Sequence, residues 1–257
     1  MPELPEVENI VRILRPKVVG KEILAVEAFD PKLQSVPQSL GVPARVFELV
    51  RKGKYIVFDL GERKLVLHLR MSGHLFWTPS LSEIPKHTRL SLRFSDGTLL
   101  FVDPRRLGTA EVVEEFAEPL GPDALGDLSF LNKALQQSRA PIKLWLLDQR
   151  NIAGLGNIYA CEALFLAGID PRRPASSLTK GEVAQLKEAI HRVLRKALEA
   201  MGTTLRDEAY RTPEGESGDY EPKVYGREGL PCLRCGTPIV RVELGGRGTY
   251  FCPRCQR

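Results

Sequence analysis

The chain begins with a proline and two carboxylates that could carry out nucleophilic catalysis. Removal of Met1, which a small second residue normally permits, leaves Pro2 with a free secondary amine. An α-amine titrates at about 7.7–8.0, so an appreciable fraction is neutral near pH 7 and can attack an electrophilic carbon such as C1′ of a sugar. Glu3 could transfer a proton beside it. Pro5, Glu3 and Glu6 also fit an ordinary helix start, and this second interpretation does not exclude the first.

Four cysteines near the end of the chain have the spacing of a metal site. They form two Cys-x-x-Cys pairs, Cys232 with Cys235 and Cys252 with Cys255. This arrangement is typical of a zinc ribbon with four thiolate ligands. Because all four ligands come from the protein, the sequence predicts one structural Zn²⁺ with no open position for chemistry.

The predicted zinc module also carries several arginines. Its strands, Ile239–Leu244 and Gly248–Phe251, are expected to form a hairpin across Gly245-Gly246. The arginines that project from the module are Arg234, Arg241, Arg247 and Arg254. Such side chains commonly hold phosphates, although a solvated surface position is the alternative for each of them. Arg247, beside the hairpin turn, is the leading candidate for a phosphate contact.

A glycine-bearing turn precedes an apolar helical run in the second half of the chain. Gly154 and Gly156 come just before Asn157 and the run that begins at Ile158. Backbone N–H groups at such a helix start can bind an anion. Asn157 could cap the helix or hold a phosphate, and an ordinary connection between two helices is the alternative. Cys161, within the apolar run, is predicted to be a buried core residue.

Size, charge and cysteine content limit the classes of protein. A chain of 257 residues that is 43% hydrophobic can form one large or two medium domains. The net charge of +5 and the pI near 9.0 modestly favour a polyanionic partner. No apolar run approaches the ~18 residues of a membrane span and no signal peptide precedes the acidic start, so we expect a soluble intracellular protein without a membrane partner. The cysteine pattern is not a disulfide framework.

Apolar spacing in the first half predicts one helix followed by strands. Val7, Ile10, Val11 and Leu14 recur at helical spacing, which predicts a helix from about Pro5 to Val18. Asp96-Gly97, between two alternating segments, is a strong hairpin signal. The predicted strands are Glu22–Phe29, Arg45–Val50, Tyr55–Leu60, Lys64–Leu69, Arg89–Phe94, Thr98–Val102 and Thr109–Val113. Such a series favours a sandwich or barrel.

The pattern changes to helical spacing after Glu114. Proline and glycine near Pro119 mark a linker, and helices are expected around Leu144–Leu147, over Ile158–Leu166 and from Val183 to Met201. The polar stretch 202–229 is predicted to be a structureless loop of functional importance. We therefore expect an N-terminal domain over 1–115, a linker over 116–130, and a helical domain over 131–257 that ends in a zinc module at 229–257.

Motifs along nearly the whole chain resemble those of the bacterial formamidopyrimidine-DNA glycosylase family, also called Fpg or MutM. The matching segments are Pro2–Glu8, Lys52–Tyr55, His68–Gly73, Asp103–Arg106, Asp148–Tyr159, Gly202–Leu205, Val224–Arg227 and the zinc ribbon. The resemblance implies an α+β fold with an N-terminal β-sandwich flanked by helices. It further implies a C-terminal helix–two-turns–helix domain with a β-hairpin zinc finger, and DNA bound between the two domains.

The resemblance also implies a reaction. Pro2 would attack C1′ of a damaged nucleotide, expel the base and leave an iminium, after which β- and δ-elimination cut the strand. Glu3 would move protons at the sugar, Glu6 would support the site, and Lys54 would bind the phosphate beside the lesion. Such an enzyme is a bifunctional glycosylase and AP lyase for oxidised purines such as 8-oxoguanine and formamidopyrimidines.

Other positions resemble the family's DNA contacts. His68, Asn157, Tyr225 and Arg247 would contact the DNA, with Asn157 and Arg247 gripping phosphates around a flipped nucleotide. Met71 and Arg105 would fill the hole that flipping leaves in the duplex. The family usually has phenylalanine two residues after the hole-filling arginine, whereas this chain has Leu107, which lacks an aromatic face.

Two alternatives remain at this point. The first is an endonuclease VIII-like glycosylase for oxidised pyrimidines. That branch typically opens with Pro-Glu-Gly-Pro, whereas this chain opens with Pro2-Glu3-Leu4-Pro5, which disfavours this alternative. Leu107 is the one feature that favours it. The second is a zinc-containing DNA-binding protein without catalysis, which the combination of Pro2, Glu3, Glu6 and Lys54 disfavours. Under the main interpretation the partner is double-stranded DNA with damaged bases or abasic sites, and the protein is a monomer of the bacterial cytoplasm.

Overall fold

The chain forms two compact units. A computed structural model describes residues 2–205 and 210–257. The first unit comprises Met1–Glu118 with Leu198–Tyr220, and the second comprises Pro119–Ala197 with Glu221–Arg257. The segment 198–220 is thus grouped with the first unit, although it follows the helices of the second along the chain. The domain limits expected from the sequence remain a prediction.

The first unit is built on two four-stranded antiparallel sheets. The strands are β1 (Glu22–Ile23), β2 (Ala25–Ala28), β3 (Ala44–Arg45), β4 (Glu48–Lys52), β5 (Tyr55–Asp59), β6 (Lys64–His68), β7 (His74–Thr78), β8 (Thr88–Phe94), β9 (Gly97–Val102) and β10 (Thr109–Val113). One sheet has the order β10-β6-β5-β4 and the other β2-β8-β9-β7. Both sheets contribute apolar side chains to one core, including Phe58 and Leu67 from the first and Leu92 and Phe101 from the second. The predicted α+β class with an N-terminal sandwich is confirmed.

Helix α1 (Leu4–Val18) confirms the predicted first helix. Its apolar stripe, which includes Val7, Ile10 and Leu14, is fully buried in the core of the two sheets. Glu3 is the N-cap residue and forms a capping box with Glu6. This arrangement satisfies N–H groups that the first helical turn would otherwise leave unpaired.

Two of the predicted strands are wrong because each changes partner midway. Glu22–Phe29 divides at Leu24: β1 pairs with β3, whereas β2 pairs with β8. Arg45–Val50 likewise divides into β3 and β4, and Val46 donates its N–H to Lys21 O at 2.8 Å between them. Strand β7 and helix α2 (Ser35–Leu40) were not predicted. Asp96-Gly97 does connect β8 and β9 as a hairpin.

The second unit contains short helices, one long helix and a terminal hairpin. The helices are α3 (Leu131–Gln136), α4 (Ile142–Leu147), α5 (Asn157–Ala167) and α6 (Lys180–Glu199), whose last residues belong to the first unit. Strands β11 (Val240–Leu244) and β12 (Arg247–Phe251) form the hairpin across Gly245-Gly246, as predicted. Cys161 is fully buried on α5, which confirms its core assignment. None of the helices in the described residues combines the length and apolarity of a membrane crossing.

No helix or strand lies in the described part of 202–229, as expected of a loop, but hydrogen bonds give parts of it a defined backbone arrangement. Thr203 forms an antiparallel bridge with Asp219, and Thr204 donates its N–H to Gly218 O at 3.1 Å. Trp77 on edge strand β7 donates its N–H to Pro213 O at 2.9 Å. The first two contacts lie within the stretch and the third attaches it to β7, all through backbone groups, which residue types do not reveal. Residues 206–209 lie outside the described residues.

Candidate active site and nucleic-acid interface

The N-terminal peptide is held by a buried carboxylate. Pro2, Glu3 and Glu6 are all buried. Glu6 Oε2 accepts the N–H of Glu3 at 2.8 Å, and Glu6 Oε1 accepts the N–H of Thr203 at 2.8 Å. Gly202 lies against the same group, because a Cβ at this position would be 2.9 Å from Glu6 Oε1. Glu6 therefore joins the peptide that carries Glu3 to the start of the 202–220 segment. Met1 lies outside the described residues.

Lys54 occupies the tight turn between β4 and β5. Lys52 and Tyr55 are cross-strand partners, so the turn consists of Gly53 and Lys54, and Gly53 adopts φ 57°. Arg51 donates to Gly53 O at 3.0 Å and to Glu8 Oε2 on α1 at 2.9 Å. The Lys54 turn is thus connected through Arg51 to the helix that begins at the N-terminal peptide.

His68 is buried at the end of β6 in a neutral state. Burial, together with the nearby positive charges of Arg70 and Lys54, lowers the pKa of His68 to about 3. Its Nδ1 accepts the N–H of Arg70 at 3.0 Å, so the neutral ring carries its proton on Nε2. The Tyr55 ring contacts it edge-on with centroids 4.6 Å apart. A neutral imidazole with a fixed Nε2–H can still donate one hydrogen bond to a phosphate oxygen.

The three candidate wedge residues lie on two loops of the first unit. Met71 is 42% exposed on the loop between β6 and β7. Arg105 and Leu107 are exposed on the loop between β9 and β10, Leu107 to 43%. The neighbouring Arg70 and Arg106 have φ values of 53° and 55°, so each loop contains a left-handed turn at a non-glycine residue.

Asp103, which belongs to a matching motif but was given no role from the sequence, anchors the second of these loops. It is fully buried and accepts the N–H of Arg105 at 3.1 Å and of Gly108 at 2.7 Å. Burial alone would raise the pKa of Asp103, but hydrogen bonds from Ser72 and these backbone groups hold it below the usual range. An aspartate followed two residues on by a backbone donor is the pattern of an Asx turn, and this was the available signal.

Asn157 begins helix α5 and contacts the zinc module. Gly156 is the N-cap residue, so the suggestion that Asn157 caps the helix is wrong: its side chain lies inside the first turn. Asn157 Nδ2 donates to Gly248 O at 3.0 Å instead. Gln149 fixes the preceding glycine turn by accepting the N–H of Gly154 at 2.9 Å. The start of α5 is thereby tied to the residue that follows Arg247.

A fully buried lysine supports the same hairpin. Lys143 on α4 donates to Gly248 O at 3.1 Å and to Thr249 Oγ1 at 2.6 Å. Arg247 itself is exposed at the start of β12. Lys143 and Asn157 therefore fix the backbone next to an exposed guanidinium. Lys143 was not recognised from the sequence, because a lone lysine in an apolar segment gives no sign of its partners.

Tyr225 is positioned by a carboxylate of α5. Glu162 is buried and accepts the N–H groups of Lys223 at 2.8 Å, Val224 at 2.9 Å and Tyr225 at 3.0 Å. The Tyr225 ring meets Tyr250 of the hairpin edge-on, with centroids 5.0 Å apart. The segment after residue 220 is thus attached to both α5 and the zinc module.

The four cysteines have the geometry of a tetrahedral metal site. All four Sγ atoms lie within 4.8 Å of one another, with Cys235 and Cys252 at 3.5 Å and Cys232 and Cys255 at 3.9 Å. Zn–S bonds of about 2.3 Å in a tetrahedron place sulfurs about 3.8 Å apart, so the cluster fits one Zn²⁺. The predicted single structural zinc site is confirmed.

The arginines of the module differ in their roles. Arg234 donates to Phe165 O at 2.9 Å and Leu166 O at 3.1 Å, the last carbonyls of α5, and its guanidinium lies over the Phe165 ring. It therefore caps a helix rather than projecting towards a ligand. All four arginines, Arg234, Arg241, Arg247 and Arg254, are exposed, and Arg234 differs in its hydrogen bonds to α5.

The fold and site together define a class: a two-sheet N-terminal unit with a buried capping box at its start, and a helical unit that ends in a zinc ribbon. Three family models match along the chain: the formamidopyrimidine-DNA glycosylase N-terminal domain over residues 1–110, the formamidopyrimidine-DNA glycosylase H2TH domain over 117–209, and the zinc finger found in FPG and IleRS over 229–257. The chain belongs to the formamidopyrimidine-DNA glycosylase family.

Individual relatives agree along the full length. A formamidopyrimidine-DNA glycosylase of Thermus thermophilus is 44% identical over 269 residues, covering 100% of this chain and 98% of the relative. A Lactococcus lactis Fpg in complex with DNA that contains N7-benzyl-Fapy-dG matches with a TM-score of 0.91 and 34% identity, covering 100% of both chains. A MutM in complex with DNA that contains carbocyclic 8-oxo-G matches with a TM-score of 0.90 and 34% identity over 100% of both chains.

Proposed function

We propose that this protein is a bifunctional DNA glycosylase and AP lyase that removes oxidised purines from double-stranded DNA. The observation that carries the proposal is the N-terminal peptide, in which Pro2 is followed by two buried glutamates in a capping box. The chain's membership of the formamidopyrimidine-DNA glycosylase family and the DNA lesions bound by related proteins support oxidised purines as the substrate class.

The proposed reaction begins when the Pro2 nitrogen attacks C1′ of the damaged nucleotide. The bond between C1′ and the base breaks, the base leaves with a proton, and the Pro2 amine gives up its own proton. The C1′–O4′ bond then breaks and O4′ takes up a proton, so that the sugar ring opens and an iminium forms between C1′ and the Pro2 nitrogen. The resulting iminium makes the C2′ hydrogen acidic, so its loss expels the 3′ phosphate by β-elimination, and δ-elimination then expels the 5′ phosphate. Glu3 is positioned beside Pro2 to move protons during these steps. Glu6 holds the Glu3 peptide through its 2.8 Å hydrogen bond and is a positioning residue.

Base extrusion precedes this chemistry, because C1′ and the base edge cannot be reached inside the stack. We propose that Lys54 and His68 of the first unit and Asn157, Tyr225 and Arg247 of the second bind the DNA backbone. Met71, Arg105 and Leu107 enter the space that the extruded nucleotide leaves. The zinc ion has no open position and supports the hairpin that carries Arg247.

Borohydride trapping on a duplex that carries 8-oxoguanine opposite cytosine tests this function. The reductant should convert the iminium into a stable amine, and peptide mass spectrometry should place the adduct on the peptide that begins at Pro2. Glu3→Gln should lose base excision while DNA binding persists, and the exposed Glu48→Gln should behave as wild type. An undamaged duplex is the control substrate. An adduct formed only with an oxidised pyrimidine would move the assignment to the endonuclease VIII-like branch, and none with any lesion would exclude catalysis.

The remaining expectations also belong to this proposal. We place the domain limits at 1–115 and 131–257 with a linker over 116–130, and the zinc finger at 229–257. The protein acts as a monomer in the bacterial cytoplasm, where genomic DNA is accessible. Light scattering of the zinc-loaded protein should give a mass near 28.7 kDa.

A further inference from the structure

The two loops that carry Met71 and Leu107 share a single anchoring residue. Ser72 follows Met71 and donates from its hydroxyl to Asp103 Oδ1 at 2.6 Å. The same Asp103 accepts the N–H groups of Arg105 and Gly108, which flank Leu107. Side-chain bonds to an ionised carboxylate are short and about twice as strong as neutral ones. One buried carboxylate thus connects loops that lie about thirty residues apart along the chain, as the separation of Ser72 and Asp103 shows.

The loops also rest on one aromatic ring. Gly73 in the first loop is so close to Phe101 that an added Cβ would be 2.9 Å from the ring. Gly108 in the second loop would place a Cβ 2.5 Å from the same ring. Because real side chains cannot approach so closely, both positions require glycine. Polar and apolar contacts therefore join the loops into one body.

A buried ion pair compensates the charge of the anchor. Arg89 is almost fully buried; its Nη1 lies 3.4 Å from Asp103 Oδ2 and donates to Gly108 O at 2.5 Å. Its Nε donates to Asp30 Oδ2 at 2.6 Å, and Asp30 also pairs with Arg106. A charge this deep is tolerated only when it is paired and hydrogen-bonded. Asp103 is consequently held by the buried Arg89 as well as by its hydrogen bonds to the two loops.

We propose that Ser72 and Asp103 form a clip that makes the two wedge loops move as one, and that this clip determines how efficiently a paired lesion base is extruded. The inference rests on the proposed function of Met71, Arg105 and Leu107. Unstacking a base step costs about a few kcal/mol, and the inserted side chains must offset this cost. If the two loops could move independently, their side chains would be displaced from the duplex more easily and would offset less of it. Ser72 is a positioning residue and has no contact with the reacting atoms in this proposal.

Ser72→Ala tests the clip, because it removes the hydroxyl while leaving the buried carboxylate with its backbone donors. Base excision from 8-oxoguanine opposite cytosine under single-turnover conditions should be roughly tenfold slower. Incision of a preformed abasic site, which needs no paired base to be opened, should stay within about twofold of wild type. Ser72→Thr retains the hydroxyl and should restore excision, whereas Ser80→Ala, on an exposed loop after β7, is the control.

A second measurement needs no catalysis. A 2-aminopurine base placed opposite a stable abasic analogue should brighten when the wedge residues enter the duplex, and Ser72→Ala should reduce this brightening at saturating protein. Unchanged excision and unchanged brightening in Ser72→Ala would overturn the proposal. An equal loss of excision and of abasic-site incision in Ser72→Ala would also overturn it, as would failure of Ser72→Thr to restore excision. A wild-type protein without catalysis would contradict the proposed function, while the fluorescence comparison would still decide on the clip.

Discussion

Three buried carboxylates in this protein perform the same task at the scale of single residues. Glu6 accepts the backbone N–H groups of Glu3 and Thr203, and Glu162 accepts those of three consecutive residues from Lys223. Asp103 accepts two within its own loop. An ionised carboxylate is an acceptor only, so it can satisfy several backbone donors at once. Each of them places a segment that carries a candidate functional residue.

His68 makes stability depend on pH in a defined direction. Its folded-state pKa of about 3 lies below the ordinary value of 6.5, so between these values the unfolded chain binds a proton that the native protein does not. The contribution of His68 to the free energy of unfolding is therefore fully present above pH 6.5 and is lost as the pH falls towards 3. Between pH 7.5 and 5.5 wild type should lose about 1.4 kcal/mol of unfolding free energy from this group.

Urea unfolding of wild type and His68→Gln at both pH values measures this contribution. The variant should lose less stability on acidification than wild type, because glutamine does not titrate. Ser80→Ala, which removes no titratable group from its exposed loop, is the control and should keep the wild-type pH dependence. An identical pH dependence in His68→Gln and wild type would contradict the neutral, buried state of His68.

At the scale of elements, the second unit fixes its hairpin by joining it to the starts of two helices. Lys143 on α4 and Asn157 on α5 donate to the same carbonyl of Gly248. Gly245 in the hairpin turn lies against Leu144, since an added Cβ would be 2.7 Å from that side chain. At the other end of the ribbon, Gln256 accepts the N–H of Cys252 and donates to Ile169 O. Arg247 is therefore an exposed side chain on a firmly supported backbone.

Lys143→Met should weaken DNA binding without removing zinc. The substitution removes the buried ammonium that donates to Thr249 Oγ1 and Gly248 O. Losing these hydrogen bonds should lower the free energy of unfolding by about 1–3 kcal/mol and allow the backbone at Arg247 to shift. The affinity for damaged and undamaged duplex should fall alike, and the salt slope should decrease by about 1, as for Arg247→Ala. Titration at several salt concentrations measures both.

Lys133→Met, on the exposed side of α3, is the matched control for that variant and should bind as wild type. Zinc content verifies that the ribbon is intact in each sample. A selective loss of affinity for one lesion, in Lys143→Met or in Arg247→Ala, would contradict a role in phosphate binding.

At the scale of the whole molecule, the first unit and the zinc ribbon differ in what stabilises them. The first unit has a large apolar core shared by two sheets and α1. The cluster around the ribbon in the second unit is small and includes Cys161, Phe165 and Val224 besides the metal ligands Cys232 and Cys252. A module with so little apolar burial depends on its metal for folding.

Removal of zinc by a chelator should therefore act on one part of the molecule. Amide hydrogen exchange in β11 and β12 should accelerate, while β8 and β9 remain protected, and DNA affinity should fall because Arg247 loses its support. Re-addition of Zn²⁺ should restore both properties. Unchanged affinity in a sample verified to be free of zinc would show that the ribbon is not a DNA grip.

Local signals predicted the elements whose contacts are local. The helix over 4–18 followed from apolar spacing, the β8–β9 hairpin from Asp96-Gly97, and the zinc ribbon from cysteine spacing. Prediction failed where a strand changes partner, as at Leu24, because pairing is decided by distant residues. The bonds that hold the described parts of 202–220, from Trp77 N–H to Pro213 O and from Thr203 N–H to the Glu6 carboxylate, could not be predicted, because they leave no mark on residue types. The roles assigned to Pro2, Glu3 and the DNA-binding residues stay predictions.

The sequence by itself determined the reactive groups, namely a proline behind Met1, its neighbouring glutamates and four thiolates, because these depend on residue type and short spacing. Tertiary structure decided how they are held. It buried Lys143 and Glu162 against backbone groups far along the chain, joined Asp103 to the distant Ser72, neutralised His68, and turned Arg234 into a helix cap. The physical reason is that burial and hydrogen-bond partners belong to the environment of a side chain, which forms only when the chain has folded.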